Sequence, residues 1–161
     1  MRQQLVTHSG GNSLLRHSAV SVKRLRMDNL TIAQRSATMA RVRSQDTKPE
    51  LVVRRLVHAM GHRYQLYQSS LPGKPDLVFP RLSKVIFVHG CFWHGHDCRA
   101  GRNRPRSNFA YWDAKLLRNQ RRDAANRRAL RRIGWKALVL WECQLGNLRR
   151  LRSRIERFLE A

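Results

Sequence analysis

The chain has 161 residues, with 33 Lys and Arg against 10 Asp and Glu, which gives a formal net charge of +23. This length suits one domain with a buried core, and so large a charge favours nucleic acid as partner over a merely basic or ribosome-associated role. No apolar run approaches the ~20 residues of a membrane span, the N-terminus lacks a signal-peptide core, and three cysteines are an odd number for a disulfide scaffold. These features argue against membrane-embedded and secreted classes and predict a cytoplasmic protein.

The N-terminal part of the chain predicts an arm followed by a short helix. Residues 1–26 are rich in Ser, Gly, His and Arg and show no periodicity, so we expect a flexible basic arm. Residues 27–161 are expected to form one domain. Within it, the segment from Thr31 to about Ser44 suits a short basic helix.

A stronger helix start follows. Thr47 can cap the helix, Pro49 fits its first turn, and Glu50 completes a T-x-x-E capping box. An apolar stripe continues until Gly61, which is typical of a helix end. We therefore predict a helix over residues 47–60.

The rest of the chain alternates apolar and basic segments. The run at residues 85–88 is continuously apolar, as in a strand buried on both faces. The predicted strands span residues 62–68, 76–79, 84–88 and 135–141, the helices residues 108–133 and 147–159, and an Arg-rich loop residues 99–108. The order α-β-β-β-α-β-α predicts an α/β fold with a mixed β-sheet flanked by helices.

Two Cys and two His lie within eight residues, and a third Cys follows at the end of a predicted strand. Zinc prefers four thiolate and imidazole ligands in a tetrahedron, so Cys91, Cys98 and Cys143 with one histidine would close a site. His96 is the better fourth ligand because a C-x4-H-x-C knuckle can wrap one ion, which leaves His94 for chemistry. The alternative is a set of buried thiols and surface histidines, and the clustering argues against it.

A Pro-Asp pair opens the strand that begins at Asp76, just after a loop that contains Pro and Gly. An aspartate there can hold a divalent cation that ligates a scissile phosphate. Many restriction-type nucleases carry an acid and a lysine twelve residues further on, where this chain has Val88 and His89. Taken alone, the absence of that acid and that lysine therefore argues against a nuclease of that type.

Three blocks of sequence together resemble the very-short-patch-repair (Vsr) endonucleases. They are LPGKPD at residues 71–76, VIFVHGCFWHGHDC at residues 85–98, and GW at residues 134–135 with WEC at residues 141–143. The H-G-C-F-W-H stretch is highly specific, and the resemblance runs from about Met27 to Leu145. It implies a restriction-endonuclease-like fold with a structural zinc site, in an endonuclease domain over residues 27–161.

The resemblance implies roles for the residues of the active site. Asp76 matches the family's magnesium-binding aspartate, and Val88, which stands where Thr is familiar, would serve the metal through its main-chain carbonyl. His89 and His94 match active-site histidines, one suited to activating water and the other to contacting phosphate. Glu50 matches a supporting acid that reaches the metal region through water; its alternative role is only to close the capping box.

The resemblance also implies a zinc site and a DNA-contacting surface. The residues that match its structural zinc ligands are Cys91, His96, Cys98 and Cys143. Phe92, Trp93 and Trp112 match aromatic side chains that wedge into the base stack beside a mismatch, and Met39 on the first helix would act from the other groove. For each of these four the alternative is a place in the hydrophobic core, which for Met39 is the commoner role.

The implied activity is that of a magnesium-dependent hydrolase that nicks double-stranded DNA 5′ of the thymine in T:G mismatches. Such mismatches arise when 5-methylcytosine deaminates, and their removal is very short patch repair. Expected partners are duplex DNA, Mg²⁺, Zn²⁺ and repair-pathway proteins, for a monomer associated with the bacterial nucleoid. Two alternatives stay open: a restriction-like endonuclease without mismatch preference, and a non-catalytic, zinc-stabilised DNA-binding module.

Overall fold

A computed structural model describes Gln34, residues 45–105 and residues 108–161. The expected N-terminal arm and Met39 lie outside the described residues, as does the predicted first helix apart from Gln34, which is helical. Among the described helices, none combines the length and the apolar composition that crossing a bilayer requires.

The first described helix, α1, spans Lys48–Ala59 and begins as the sequence predicts. Thr47 is its N-cap, and the Thr47 hydroxyl accepts a hydrogen bond from the Glu50 amide at 3.4 Å. The Glu50 carboxylate in turn accepts hydrogen bonds from the Thr47 hydroxyl at 2.8 Å and from the Asp46 amide at 2.9 Å. The Glu50 amide is one of those that a helix start leaves open, and the Thr47 hydroxyl satisfies it; Gly61, with φ +83°, ends the turn after the helix.

Three strands form one mixed sheet in the order β1-β2-β3. Strand β1 (Leu77–Phe79) runs antiparallel to β2 (Lys84–His89), and β3 (Lys136–Trp141) runs parallel to β2. Every residue of β2 is buried, as its apolar sequence predicts for a central strand. Because β2 and β3 are parallel, His89 and Trp141 lie side by side at one edge of the sheet, and the start of β1 meets them there.

The described part of the chain holds three further α-helices: the short α2 (Arg99–Arg102), the 24-residue α3 (Phe109–Arg132) and the C-terminal α4 (Leu148–Glu160). Helices α1 and α4 cover one face of the sheet and α3 the other. The first core consists of Val53, Val57, Leu77, Phe79, Ile86, Val88, Leu140, Leu151, Ile155 and Leu159, and the second of Val78, Val85, Phe87 and Leu130. Successive β2 side chains alternate between the two cores, as the pleat requires.

Two predicted elements are wrong. Residues 62–68 form no strand; they make a single antiparallel bridge, between Gln65 and Val78. Tyr67, with φ +56°, adopts a left-handed conformation that extended pairing cannot include. The segment at residues 99–108 is not entirely a loop, because α2 occupies its first four residues, where the Cys98 sulfur accepts a hydrogen bond from the Gly101 amide at 3.4 Å.

Candidate active site and metal centre

Asp76 lies at the edge of the sheet where β1 begins and β2 ends. Its amide donates to the Ile86 carbonyl at 3.1 Å, and its Oδ2 accepts a hydrogen bond from the Val88 amide at 2.7 Å. In an extended strand the amide and the carbonyl of one residue point to the same side, so the Val88 carbonyl also faces Asp76. The two residues therefore present carboxylate and main-chain oxygens together, the donor type that Mg²⁺ prefers.

The electrostatics of Asp76 suit a cation-binding carboxylate. Its pKa is raised from 3.8 to about 6: burial is the largest cause, the hydrogen bond from the Val88 amide opposes it, and the nearby Glu50 charge adds to it. A buried carboxylate beside a second acid is destabilised as an anion. A divalent cation would relieve that penalty, so the residues present fit a metal ion at this edge.

Two histidines lie against each other beside Asp76. The His89 and His94 rings stack with centroids 3.7 Å apart and planes 12° apart. His89 is only 8% exposed, and burial, followed by the charge of His94, lowers its pKa to about 4. The His89 imidazole is therefore neutral near pH 7.

An aspartate that the sequence analysis did not single out holds His94. Asp123, on α3, has its Oδ2 2.5 Å from His94 Nδ1. Burial alone would raise the pKa of Asp123, but the hydrogen bond and the charge of His94 outweigh it and lower the pKa. An ionised carboxylate only accepts, so Nδ1 carries the hydrogen and a neutral His94 keeps Nε2 as an acceptor.

These groups open onto one cleft of about 900 Å³. Glu50, Asp76, His89, His94 and Asp123 all line it. Its other charged side chains are Lys74, Lys115, Arg122, Arg127 and Glu142. Apart from Glu50 and Asp76, the cleft is lined by four cationic side chains and two acidic ones, a balance that suits a phosphate backbone.

A second cluster gathers the four predicted zinc ligands. The donor atoms of Cys91, His96, Cys98 and Cys143 all lie within 4.8 Å of one another, and His96 Nδ1 is 3.5 Å from the Cys143 sulfur. Their residue types and spacing fit a tetrahedral zinc ion, and the group could hold a metal as a closed site.

The chain around this cluster is shaped for close packing. A Cβ at Gly101 would lie 1.9 Å from the His96 carbonyl oxygen, so only glycine lets α2 approach the knuckle. Hydrogen bonding from the Gly101 amide, followed by His96, lowers the pKa of Cys98 to about 6. Burial raises the pKa of Cys91 to about 12; a bound cation would deprotonate that thiol nevertheless.

An aromatic cluster borders the cleft. Phe92 and Trp93 are half-buried, while Trp112 is only 5% exposed; the Phe92 ring centroid lies 5.0 Å from that of Trp93 and 5.5 Å from that of Trp112. The Lys115 ammonium lies 5.5 Å from the Trp93 ring centroid and 5.4 Å from that of Trp112. Trp112 therefore forms the inner support of the cluster, and Phe92 and Trp93 form its outer part.

Known proteins resemble this chain over most of its length. A family model described as DNA mismatch endonuclease Vsr matches residues 27–100. The chain is 44% identical over 133 residues to the type II nicking enzyme V.XorIIP of Xanthomonas oryzae pv. oryzae, covering 83% of this chain and 97% of that protein. It is 35% identical over 119 residues to the DNA mismatch endonuclease Vsr of Escherichia coli, covering 74% and 76%. The chain belongs to the Vsr endonuclease family.

Membership in the Vsr family makes the chain an endonuclease, a hydrolase whose substrate is DNA. The family assignment made from sequence is thereby confirmed. A second nicking enzyme, V.NmeAIP of Neisseria meningitidis, is 40% identical over 132 residues, covering 82% of this chain and 94% of that protein. The roles predicted for single residues stay predictions.

The structure brings the predicted catalytic residues Glu50, Asp76, His89 and His94 into one cleft and the four cysteine and histidine ligands into a second cluster. Sequence reasoning missed Asp123, whose only signal is its place as one of two acids in an Arg-rich helix. It also missed Arg122 and Arg127, which line the cleft, because many similar arginines on α3 do not.

Proposed function

We propose that this Vsr-family endonuclease nicks one strand of duplex DNA 5′ of the thymine in a T:G mismatch, in a magnesium-dependent reaction. The observation that carries the proposal is one cleft lined by Asp76, by two stacked histidines and by Trp93, the member of the aromatic cluster that reaches it. We further propose a restriction-endonuclease-like catalytic domain over residues 27–161 and a structural zinc ion at the knuckle. The mismatch-specific part draws on the name of the E. coli relative.

The metal-binding edge is proposed to consist of Asp76 and the Val88 carbonyl, with Glu50 reaching the metal region through water. Bound there, Mg²⁺ would act as a Lewis acid on the scissile phosphate and stabilise charge on the leaving oxygen. Because a main-chain carbonyl is available whatever the side chain, Val88 can take part without a hydroxyl. In this arrangement Asp76 would bind the ion directly and Glu50 would orient a water beside it, and neither side chain would need to take up or release a proton.

The histidines divide the remaining work. Asp123 holds His94 through Nδ1, so Nε2 is the atom that can take a proton from the attacking water. Burial lowers the pKa of His89 and keeps its imidazole neutral, which suits a hydrogen-bond donor to the phosphate. The stack of the two rings fixes both, because neither can turn without displacing the other.

The knuckle would couple the zinc site to catalysis. His94 lies between the proposed ligands Cys91 and His96, and Trp93 precedes it directly. A zinc ion held by the four ligands would fix the backbone on both sides of His94 at little further entropic cost. The same segment then presents a base to the scissile phosphate and an aromatic edge to the duplex.

Mismatch choice is proposed to come from the outer aromatics. Inserting an apolar wedge between base steps costs a few kcal/mol in sound duplex, and less where a mismatch already stacks poorly. Phe92 and Trp93 are half-buried, Trp93 lines the cleft, and Trp112 supports both from the inside. The wedge would therefore enter T:G sites more readily than paired ones.

A nicking assay tests the proposal directly. Purified protein is given Mg²⁺ and labelled duplexes that differ only in one T:G, T:A or methylated C:G pair. We expect one nick on the thymine strand, 5′ of the mismatched thymine, and little cutting of paired duplexes. Equal cutting of all three would favour a restriction-like endonuclease, and binding without any cutting would favour a DNA-binding module; either result would contradict the proposal.

Replacing Trp93 with alanine should lower mismatch binding far more than general DNA binding. Stacking on a base is worth about 1–3 kcal/mol by alanine substitution, so we expect roughly 5- to 150-fold weaker binding to T:G duplex. Binding to paired duplex rests on Arg–phosphate contacts and should change little. The measurement is a pair of titrations, T:G against T:A, on the same variant.

Phe109→Ala serves as the matched control for Trp93→Ala, because Phe109 is a 57% exposed aromatic at the start of α3. It should leave the T:G preference unchanged. A large fall in melting temperature of Trp93→Ala, with the T:G preference intact, would instead make Trp93 a packing residue.

A further inference from the structure

Arg54 is a buried cation behind the proposed metal site. It lies on α1, one turn after Glu50, and is 8% exposed. Its Nη2 donates to Glu50 Oε2 at 3.1 Å, and its Nη1 donates to Asp46 Oδ1 at 2.5 Å. Glu50 lines the catalytic cleft, whereas Arg54 lines a second cavity, of about 500 Å³, that shares Glu50 and Asp76 with it.

The guanidinium joins two strained segments. Asp46 and Tyr67 both have left-handed backbones, with φ +53° and +56°. The Tyr67 hydroxyl donates to the same Asp46 oxygen at 2.5 Å, and the Arg54 guanidinium lies 5.6 Å from the Tyr67 ring centroid. Non-glycine residues hold such conformations only where their surroundings enforce them.

Stability alone does not account for a guanidinium at this position. Arg54 Nε is buried and has no hydrogen-bond partner among the described residues. An unpartnered buried donor is unfavourable, and replacing a buried ion pair by apolar side chains is often neutral or stabilising. A buried cation that also sits among strained residues beside a catalytic cleft points to a functional role.

Glu50 is the group through which Arg54 can act. Its carboxylate accepts from the Thr47 hydroxyl on Oε1 and from the Asp46 amide and Arg54 on Oε2. Three donors thus fix the orientation of a side chain that is 5% exposed and faces the cleft with Asp76. Of the three, Arg54 is the only cation, and like Asp46 it contacts Tyr67, which lies in a second chain segment.

We propose that Arg54 is a positioning residue: it holds the Glu50 carboxylate at the edge of the metal site and ties it to the segment around Tyr67. The inference rests on the proposed metal-dependent nicking and assigns a determinant of metal affinity that acts without touching metal or DNA. Loss of Arg54 would let Glu50 turn away and weaken divalent cation binding. Misplacement of a positioned group by about 1 Å can lower activity by about 10²-fold.

The experiment compares Arg54→Met, Arg54→Lys and the control Arg55→Met, which changes an exposed arginine on the same helix. For each, the Mg²⁺ concentration at half-maximal nicking of T:G duplex is measured, together with Mn²⁺ binding by electron paramagnetic resonance. We expect Arg54→Met to raise both midpoints by about tenfold. Arg54→Lys, which keeps the charge but not the forked geometry, should recover part of the shift, and Arg55→Met should match the wild type.

Two further variants separate the possible outcomes. In a Glu50→Gln background, Arg54→Met should add less than about a twofold shift, because coupled residues are not additive. Tyr67→Phe should shift the midpoint in the same direction but less. Unchanged midpoints in Arg54→Met, or an equal loss at every Mg²⁺ concentration together with a lower melting temperature, would overturn the positioning role.

The Mn²⁺ measurement keeps this inference apart from the proposed function. If the wild type fails to nick T:G duplex, the proposed function fails, yet the Mn²⁺ midpoints of Arg54→Met and wild type still decide the role of Arg54. If the wild type nicks and the midpoints coincide, the positioning role fails alone.

Discussion

Asp76→Asn is expected to abolish nicking while making the metal-free protein more stable. The exchange keeps an oxygen that can accept the Val88 amide hydrogen bond, so the edge of the sheet should remain intact. It removes the negative charge that the proposed magnesium site needs. Loss of a Lewis acid worth several kcal/mol corresponds to a roughly thousandfold or larger fall in rate.

The gain in stability follows from the raised pKa of Asp76, about 6 in the folded protein against 3.8 for an ordinary aspartate. A carboxyl with a raised pKa binds its proton more tightly in the folded state. Stability is therefore lost as pH rises from about 4 to about 6, and the penalty is complete above that range. Asparagine carries no such penalty, so the metal-free variant should be more stable by roughly 1–3 kcal/mol at pH 7.5.

Denaturant unfolding without added Mg²⁺, at pH 7.5 and at pH 4, measures this difference, with the zinc content of wild type and variant matched at each pH. The gap between Asp76→Asn and wild type should shrink towards zero at pH 4, where Asp76 is protonated. Asp113→Asn, at an exposed position on α3, is the control and should change neither stability nor nicking. Wild-type nicking by Asp76→Asn in Mg²⁺ would remove Asp76 from the metal site.

Local signals in the sequence predicted most of the elements correctly. The Thr47 cap, the end of α1 near Gly61 and the buried strand β2 depend on neighbours within a few residues, so a single chain segment carries the information. The strand predicted at residues 62–68 failed for the opposite reason. Tyr67 takes a left-handed backbone that is held by contacts with Asp46 and Arg54, which lie 21 and 13 positions away.

The residues of the candidate site likewise fall into those that a local sequence pattern marks and those that it does not. The proposed zinc ligands could be singled out because three of the four lie in one eight-residue block with a distinctive composition. Asp123 and Arg54 could not, because each has a residue of the same type on its own helix, Asp113 and Arg55, and only the fold decides which of the two turns towards the site. Asp123 contacts His94 although the two lie 29 positions apart in the sequence, with the Arg-rich segment and half of α3 between them. Pairings of that kind depend on packing between elements and leave no local pattern.

Cys143→Ala is expected to lower the zinc content, the melting temperature and nicking together. Cys143 is the one proposed ligand outside the knuckle, so it joins β3 to residues 91–98. Structural zinc contributes roughly 10–16 kcal/mol of apparent binding energy in small peptides. This domain has two apolar cores that do not depend on the knuckle, so a smaller loss of several kcal/mol is expected. At roughly 2–4 °C per kcal/mol, the melting temperature should fall by about 10 °C.

The matched variant is Cys143→His, which keeps a zinc-binding donor. It should retain more zinc and more nicking than Cys143→Ala, since zinc accepts imidazole as well as thiolate. The exposed-histidine variant His58→Ala, on α1, should behave as wild type in zinc content and melting. A zinc-free Cys143→Ala protein that melts cooperatively at the wild-type temperature would contradict a structural zinc site.

Hydrogen exchange locates the damage in Cys143→Ala. If zinc fixes only the knuckle, amides at residues 90–104 should lose protection while those of β2 and β3 keep theirs, because the sheet packs on cores that lack the cluster. His94 would then lose its fixed backbone while Asp76 stays in place. Nicking should therefore fall much more than Mn²⁺ binding does, a separation that global unfolding could not produce.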